Sequence, residues 1–509
     1  VSGVSATINT VSSGYRVHSA ARRFWVGTAC FFAFIVVWTV FLAIAHGAQA
    51  INDDTAEAFV WGRQFEWGYW KHPPFWAWVA GLWFIVFPHN IWAVAFLDAM
   101  NSGIGLIGAW NLSGCFLSGE RRVVAIALLL LTPLYTFLSF KYNANSIFLS
   151  LWPWTAFFFV RAIERNKLRD AILFGTLAGL DMLSKYYAVL LLITCLAAAL
   201  MHPACKRFFH SALPWTAIAV AALVFVPHAV WLAHNNYLPI VYLLSETGHS
   251  FGFLMNQLLE LIAECVAYNI LAAALVMIVT ATGPRSWFAV FRTRKPEDHM
   301  EFLLVLALLP AVLTLVFSVL LEVTISENTM VGIFCLMPVV FLKLAQPHET
   351  QRLLRTAIVC VGAISATALA VSPVVASFGP RDSEIDHFIA KQAQSVWKRN
   401  TQKPLLYISG AEPWAEEVIY YIPERPQEFI NYSFADAPWV TRSVIREAGF
   451  VAICPVQDRG CLAQARAVAP GRIVQQRLGA LNHWGSGGKS RENIVIIAAL
   501  PPNSGRGSP

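Results

Sequence analysis

The chain returns again and again to long apolar runs, near residues 25–46, 91–112, 123–140, 147–163, 171–184, 186–202, 211–233, 258–281, 302–321, 330–345 and 355–377. One soluble core cannot absorb so many, whereas about 20 apolar residues make a single helical crossing of the bilayer hydrocarbon. Composition agrees. The chain is 57% hydrophobic and 13% charged, with mean hydropathy +0.55, where an ordinary soluble domain carries about 25% charged residues. The expectation is an α-helical polytopic membrane protein with about eleven transmembrane helices. The shorter runs fit a bundle in which short helices surround a cavity. The first run is too long for a cleavable signal peptide, and no small-residue cleavage site precedes the acidic stretch after it. Nineteen tryptophans suit extensive interfacial surface.

Loop charge sets the expected orientation. Arg16, Arg22 and Arg23 precede the first run, and Arg121 and Arg122 follow the second. Arg161, Arg165, Lys167 and Arg169 follow the fourth, Lys206 and Arg207 the sixth, Arg285, Arg292, Arg294 and Lys295 the eighth, and Arg352 and Arg355 the tenth. The alternate loops hold only Arg63, Lys71, Lys141 and Lys185. Positive residues favour the cytoplasm, so the N-terminus is expected inside. Segments 47–90, 235–257 and 322–329 and the C-terminus are then expected outside. The net charge of +7 is spread over short loops, which speaks for topology and against nucleic acid.

From Arg381 onward the apolar runs shorten and alternate with charged amphipathic stretches. Residues 404–409, 450–454 and 493–499 read as strands, and 383–399 and 438–448 as helices. The chain thus divides into a membrane part, 1–380, and a soluble α/β domain, 381–509. Cys454 and Cys461 flank a short loop in that domain. No further ligands stand near them, so a local disulfide is favoured over a metal site. The other seven cysteines fall in or near apolar runs, where small apolar packing is the simpler reading.

The stretch INDDTAEAFVWGRQFEWGYWKHPPF, residues 51–75, is the anomaly. An acid pair at the end of a span is usually a solvated helix cap. Here Asp53 and Asp54 open a stretch, 55–70, that reads as an amphipathic helix on the membrane surface. Pro73-Pro74 then stops the chain and begins a second apolar helix, 75–87, too short to span. Other outside loops add polar groups at the same depth: Lys141, Asn143 and Asn145; Lys185 and Tyr186; His228, His234, Asn235 and Asn236; Glu246 and His249. A single lysine at a helix end is ordinarily snorkelling. Several such groups facing one compartment suggest a wet cavity.

The acid pair after the first run, followed by an amphipathic helix and Lys71-His72-Pro73-Pro74-Phe75-Trp76-Ala77-Trp78, resembles the C-type superfamily of polyprenyl-phosphate-sugar glycosyltransferases. More closely, it looks like the bacterial branch that includes the lipid A aminoarabinose transferase and the dolichyl-phosphate-mannose protein mannosyltransferases, over roughly 25–380. The resemblance implies that Asp53 is the essential acid and Asp54 its neighbour. It implies that Lys71, His72 and Lys185 serve the donor; the cavity reading adds Lys141, Asn145, Tyr186 and His249 to the donor-binding set. Where the family has a second aspartate, this chain has Asn143 or Asn145, aligned at Asn145. That change removes a charge. Lys71 stands where the family can have glutamate. A divalent metal is therefore left open, with no ligand set and no other cofactor assigned.

A sugar phosphate on a long lipid has a good leaving group that needs charge stabilisation more than protonation, which lysine and histidine supply. An interfacial carboxylate suits the acceptor as base. The expectation is an inverting transferase in a bacterial inner membrane, its site on the periplasmic face. It would move a sugar from a polyprenyl phosphate to an envelope lipid or glycan. A transporter or flippase of a lipid-linked sugar could use the same cavity, but the chain shows no internal repeat. An oligosaccharide polymerase would show paired arginines in large outside loops, and Arg63 is the only arginine expected outside before Arg381. A non-enzymatic scaffold would not need Asp53, His72 and Lys185 in one place.

Overall fold

The computed structural model describes residues 25–245, 251–282, 299–322, 330–346, 349–378, 383–485 and 488–502, with Thr247, Arg285 and Trp287. All eleven apolar segments fall on helices. Among the described residues six are long and apolar enough to cross a membrane: α1 (Trp25–Ala45), Ile91–Ser113, Leu213–His234, Gly252–Thr280, Met300–Leu321 and Thr350–Phe378. A further pair, Gly119–Leu129 and Pro133–Phe140, bends by 74°. Pro133 lacks the N–H and clashes with the preceding turn, which breaks the helix there. The remaining segments, including Tyr186–Met201 and Ile333–Ala345, are shorter or more polar. The chain is a multi-pass membrane protein.

Between α1 and the helix Ile91–Ser113 lie two short helices, α2 (Asp53–Gly62) and α3 (Phe75–Val86). Two acids in the first turn of α2 suit the positive end of a helix dipole. The sequence reading of a surface helix over 55–70 needs correction. The helix ends at Gly62, and its residues Thr55 to Gly62 are buried rather than lying on a bilayer surface. Close packing explains both. A Cβ on Gly62 would lie 2.0 Å from the Ala77 carbonyl oxygen, and one on Gly81 would lie 2.2 Å from that of Gly62. The α2 and α3 backbones touch, as small residues permit. Phe65 then takes a left-handed conformation, φ 50°, and the chain runs irregularly to Pro74.

That irregular stretch is fastened from several sides. The Tyr69 hydroxyl donates to the Trp61 carbonyl at 2.8 Å, and the Trp78 indole donates to Glu66 O at 2.8 Å. Phe75 N–H donates to Leu183 O at 2.8 Å, tying the start of α3 to the turn that ends in Lys185.

Residues 383–502 build a five-stranded sheet in the order β2-β1-β3-β5-β4: β1 Tyr407–Gly410, β2 Gln427–Glu428, β3 Phe450–Pro455, β4 Ile473–Gly485 and β5 Gly488–Ala499. Strands β2, β1 and β3 run parallel, and β5 and β4 complete the sheet antiparallel. Strand β3 is buried along its length, as a strand covered on both faces must be. Cys454 and Cys461 form a disulfide, with Cα atoms 5.8 Å apart. Ser383 donates to Ala48 O at 2.8 Å and Ile51 N–H to the Tyr421 hydroxyl at 3.0 Å. The sheet domain therefore sits on the α1–α2 junction.

Gly62→Val should lower thermal stability of the detergent-purified protein by about 1–3 kcal/mol, because the added carbons have no space. Gly27→Val is the control, since nothing lies within 4 Å of a Cβ there. Equal melting of the two variants would contradict the backbone contact.

Candidate active site

Three turns converge at one end of the bundle: the start of α2, residues 140–146, and residues 184–187. Thr55 Oγ1 donates to Tyr142 O at 3.1 Å and locks the first two together. The Asn143 amide donates to Asp54 Oδ2 at 2.9 Å. Its own oxygen accepts from the Asn145 and Ser146 backbone N–H groups at 2.9 and 2.7 Å. Lys185 Nζ donates to Asn145 Oδ1 at 2.8 Å. One short segment thus holds both an acid and a cation.

Lys185 is half-buried. Burial lowers its pKa, and Asp54 and Glu57 oppose that shift. Burial together with the charges of Lys185 and Lys71 holds the His72 imidazole well below the ordinary histidine value. At neutral pH His72 is therefore a neutral hydrogen-bonding group and not a cation. Asp53 is pushed upward by burial and by the neighbouring Asp54 charge, with Lys141 acting the other way.

Asp53, Asp54, Lys141, Asn145, His72 and Lys185 are thus brought together. Asn143 rather than Asn145 holds Asp54. Asp54 does not cap a helix starting at Thr55, because the helix begins at Asp53 after Asn52. Lys71 lies beside His72 but points its ammonium at carboxylates, 2.7 Å from Glu412 and 3.6 Å from Glu57. Tyr186 faces His228: its hydroxyl lies 2.8 Å from His228 Nε2, and His228 Nδ1 donates to Trp67 O at 2.6 Å. His249 lies outside the described residues.

The sequence reading missed Glu57, which is 7% exposed with one carboxylate oxygen unpartnered. The signal was present: a helix opening at Asp53 carries Glu57 on the same face, four residues on. Burial raises its pKa well above the ordinary value, with Lys71 opposing and Glu412, Asp54 and Glu416 reinforcing. Among the described residues, no three His, Cys, Asp or Glu side chains stand close enough to share a metal ion. The two lysines already sit among the acids. These residues do not fit a metal, and no step is routed through one.

Residues 71–231, which include the Lys71–Pro74 turn, Asn143, Asn145 and Lys185, match the family model of dolichyl-phosphate-mannose-protein mannosyltransferases. The lipopolysaccharide core galacturonosyltransferase RgtA of Rhizobium johnstonii is 25% identical over 323 residues, 58% of this chain and 60% of that protein. The match therefore spans less than two thirds of that relative. The crystal structure of ArnT from Cupriavidus metallidurans bound to undecaprenyl phosphate superposes with TM-score 0.61 at 12% identity, covering 93% of this chain and 98% of that one. Its apo structure matches equally well, with TM-score 0.61 and 13% identity. The chain is thus similar to ArnT in fold, to RgtA in sequence, and over residues 71–231 to the mannosyltransferase family.

The raised Asp53 pKa has a consequence for stability. A carboxyl raised in the folded state favours folding while protonated, below its unfolded value near 3.8. That contribution is lost as pH rises through the folded value. Asp53→Asn should therefore melt higher than wild type at pH ~7, and the gain should shrink toward pH ~4. A lower melting temperature at neutral pH would show that the site does not strain this carboxylate.

Proposed function

We propose that this chain transfers a sugar from a polyprenyl-phosphate donor to an envelope lipid or glycan, with inversion, at the periplasmic face of a bacterial inner membrane. The observation that carries the reading is the half-buried Lys185 ammonium. It donates to the neutral amide of Asn145, on the segment that also holds Asp54. A cation held by a neutral oxygen keeps its charge for an incoming anion, and a lipid-borne phosphate is the anion such a membrane-end pocket suits. The undecaprenyl phosphate bound to the structural relative supports that choice. The scarcity of positive charge in the loops that carry the site, against its excess in the opposite set of loops, supports the periplasmic placement.

The reaction is a direct displacement. The acceptor oxygen attacks the anomeric carbon, and the bond to the phosphate oxygen breaks with its electron pair. Lys185 offsets the charge that develops on the leaving phosphate, and neutral His72 donates an N–H to it. The acceptor proton passes to Asp53, whose raised pKa makes it a better base than an ordinary aspartate. Asn143 holds Asp54 in place beside it. The relative's name, a lipopolysaccharide core galacturonosyltransferase, makes a uronic acid and a lipopolysaccharide-type acceptor the first substrates to test.

In proteoliposomes supplied with undecaprenyl-phosphate sugars and acceptor lipid, Asp53→Asn should lose at least ~10²-fold in transfer and still bind undecaprenyl phosphate. Near-normal turnover would remove Asp53 as the base. Lys185→Met should instead weaken undecaprenyl phosphate binding by about tenfold or more, since the phosphate loses its countercharge. Unchanged affinity would leave Lys185 as a lysine that merely reaches for water.

A further inference from the structure

Lys71 immediately precedes His72, and a lysine at that position is naturally taken for a phosphate ligand. Its surroundings argue otherwise. The ammonium lies 2.7 Å from Glu412 and 3.6 Å from Glu57, and it covers the face of Trp70 at 4.9 Å. An incoming phosphate would have to displace a carboxylate to reach it. Lys185 donates its hydrogen bond to a neutral amide, and Asp54 and Glu57 act on its charge without a hydrogen bond to it.

Glu412 comes from the sheet domain, in the turn after β1. The helix that follows, Trp414–Tyr421, packs against α2 and contributes Tyr420 to an edge-to-face contact with Phe59. Beyond the carboxyl ends of parallel strands, open α/β sheets characteristically present functional loops. Here that edge of the sheet meets the site loop. Flanking ties run the same way. The Trp61 indole donates to Glu428 at 3.0 Å, and Arg63 donates to the Arg425 and Pro426 carbonyls. On the far side of His72, Pro73 and Pro74 stiffen the chain, and the His72 carbonyl accepts from Tyr69 N–H at 3.0 Å. His72 is therefore held between a rigid diproline and a lysine anchored in the other domain.

We propose that Lys71 is an interdomain pin and not a phosphate ligand, and that Glu412 of the sheet domain is a positioning residue that sets His72 in the donor site. The role assigned to His72 rests on the reading of that site given above; the pin does not.

The test uses the full chain in nanodiscs, with two readouts: amide hydrogen exchange over residues 63–74 and affinity for undecaprenyl phosphate. Glu412→Gln keeps the shape of a partly exposed side chain, so the fold should persist. Exchange over 63–74 should rise, and affinity should fall about tenfold. The charge-reversed pair K71E/E412K should recover both to within a few-fold. Unchanged exchange in Glu412→Gln overturns the pin. A reversed pair that regains protection but binds undecaprenyl phosphate as poorly as Lys185→Met overturns it too, by showing that the ammonium of Lys71 itself is needed by the phosphate. Should wild type fail to bind undecaprenyl phosphate, the donor reading falls, and exchange alone decides the pin: a rise reversed by K71E/E412K supports it, and no rise overturns it.

Discussion

Gly62 and Gly81 meet backbone to backbone, and the placing of the charged groups follows from that meeting. With any larger residue at either position, α2 and α3 would be held apart. The turn between them could not then reach the Leu183 carbonyl through Phe75 N–H. His72 sits on one side of that hydrogen bond and Lys185 on the other. Two residues more than a hundred positions apart in sequence thus come within electrostatic range. Neither glycine carries chemistry, and both set the geometry in which chemistry is done.

The charges in the site are divided, not pooled. Lys71 is neutralised by carboxylates from two domains, while Lys185 is held by an amide. Asp54 is satisfied by Asn143, while Asp53 bears the cost of burial and of a like charge next door. In each case one member of a like-charged pair is satisfied by an opposite charge or an amide donor, and the other is not. A buried group that is fully paired has little left to offer a substrate. On the proposed reading, that asymmetry separates the residue that would meet the substrate from the one that holds the fold.

Much of this was legible in the sequence. The apolar runs marked helices at each expected position, because a bilayer demands a long uninterrupted stretch that few other folds use. Strands β1, β3 and β5 were visible because burial on both faces makes them continuously apolar. Strand β4 was missed: Gln475, Gln476 and Arg477 leave no alternation on a sheet edge. The helix Trp414–Tyr421 was too short to carry a period. In the site, Asp53, Asp54, His72 and Lys185 stood out as ionisable groups beside apolar runs. What could not be read was pairing. Glu412 is separated from Lys71 by the whole membrane domain, and no local pattern announces that the two will touch. The end of α2 was misjudged for a related reason, since the close approach of Gly62 to Ala77 and Gly81 has no local signature.

One link reaches outward instead of inward. His228 lies on the helix Leu213–His234, whose Leu223, Val226 and Val230 side chains are exposed on the bundle surface. Through Nδ1 it grips the Trp67 carbonyl, and through Nε2 it meets Tyr186. Helices of this kind tilt to match the thickness of the surrounding hydrocarbon. A change in tilt of this helix would act on the Trp67 segment and on Tyr186 through these two hydrogen bonds. Acyl-chain length in the host membrane would then reach the candidate site through the imidazole of His228.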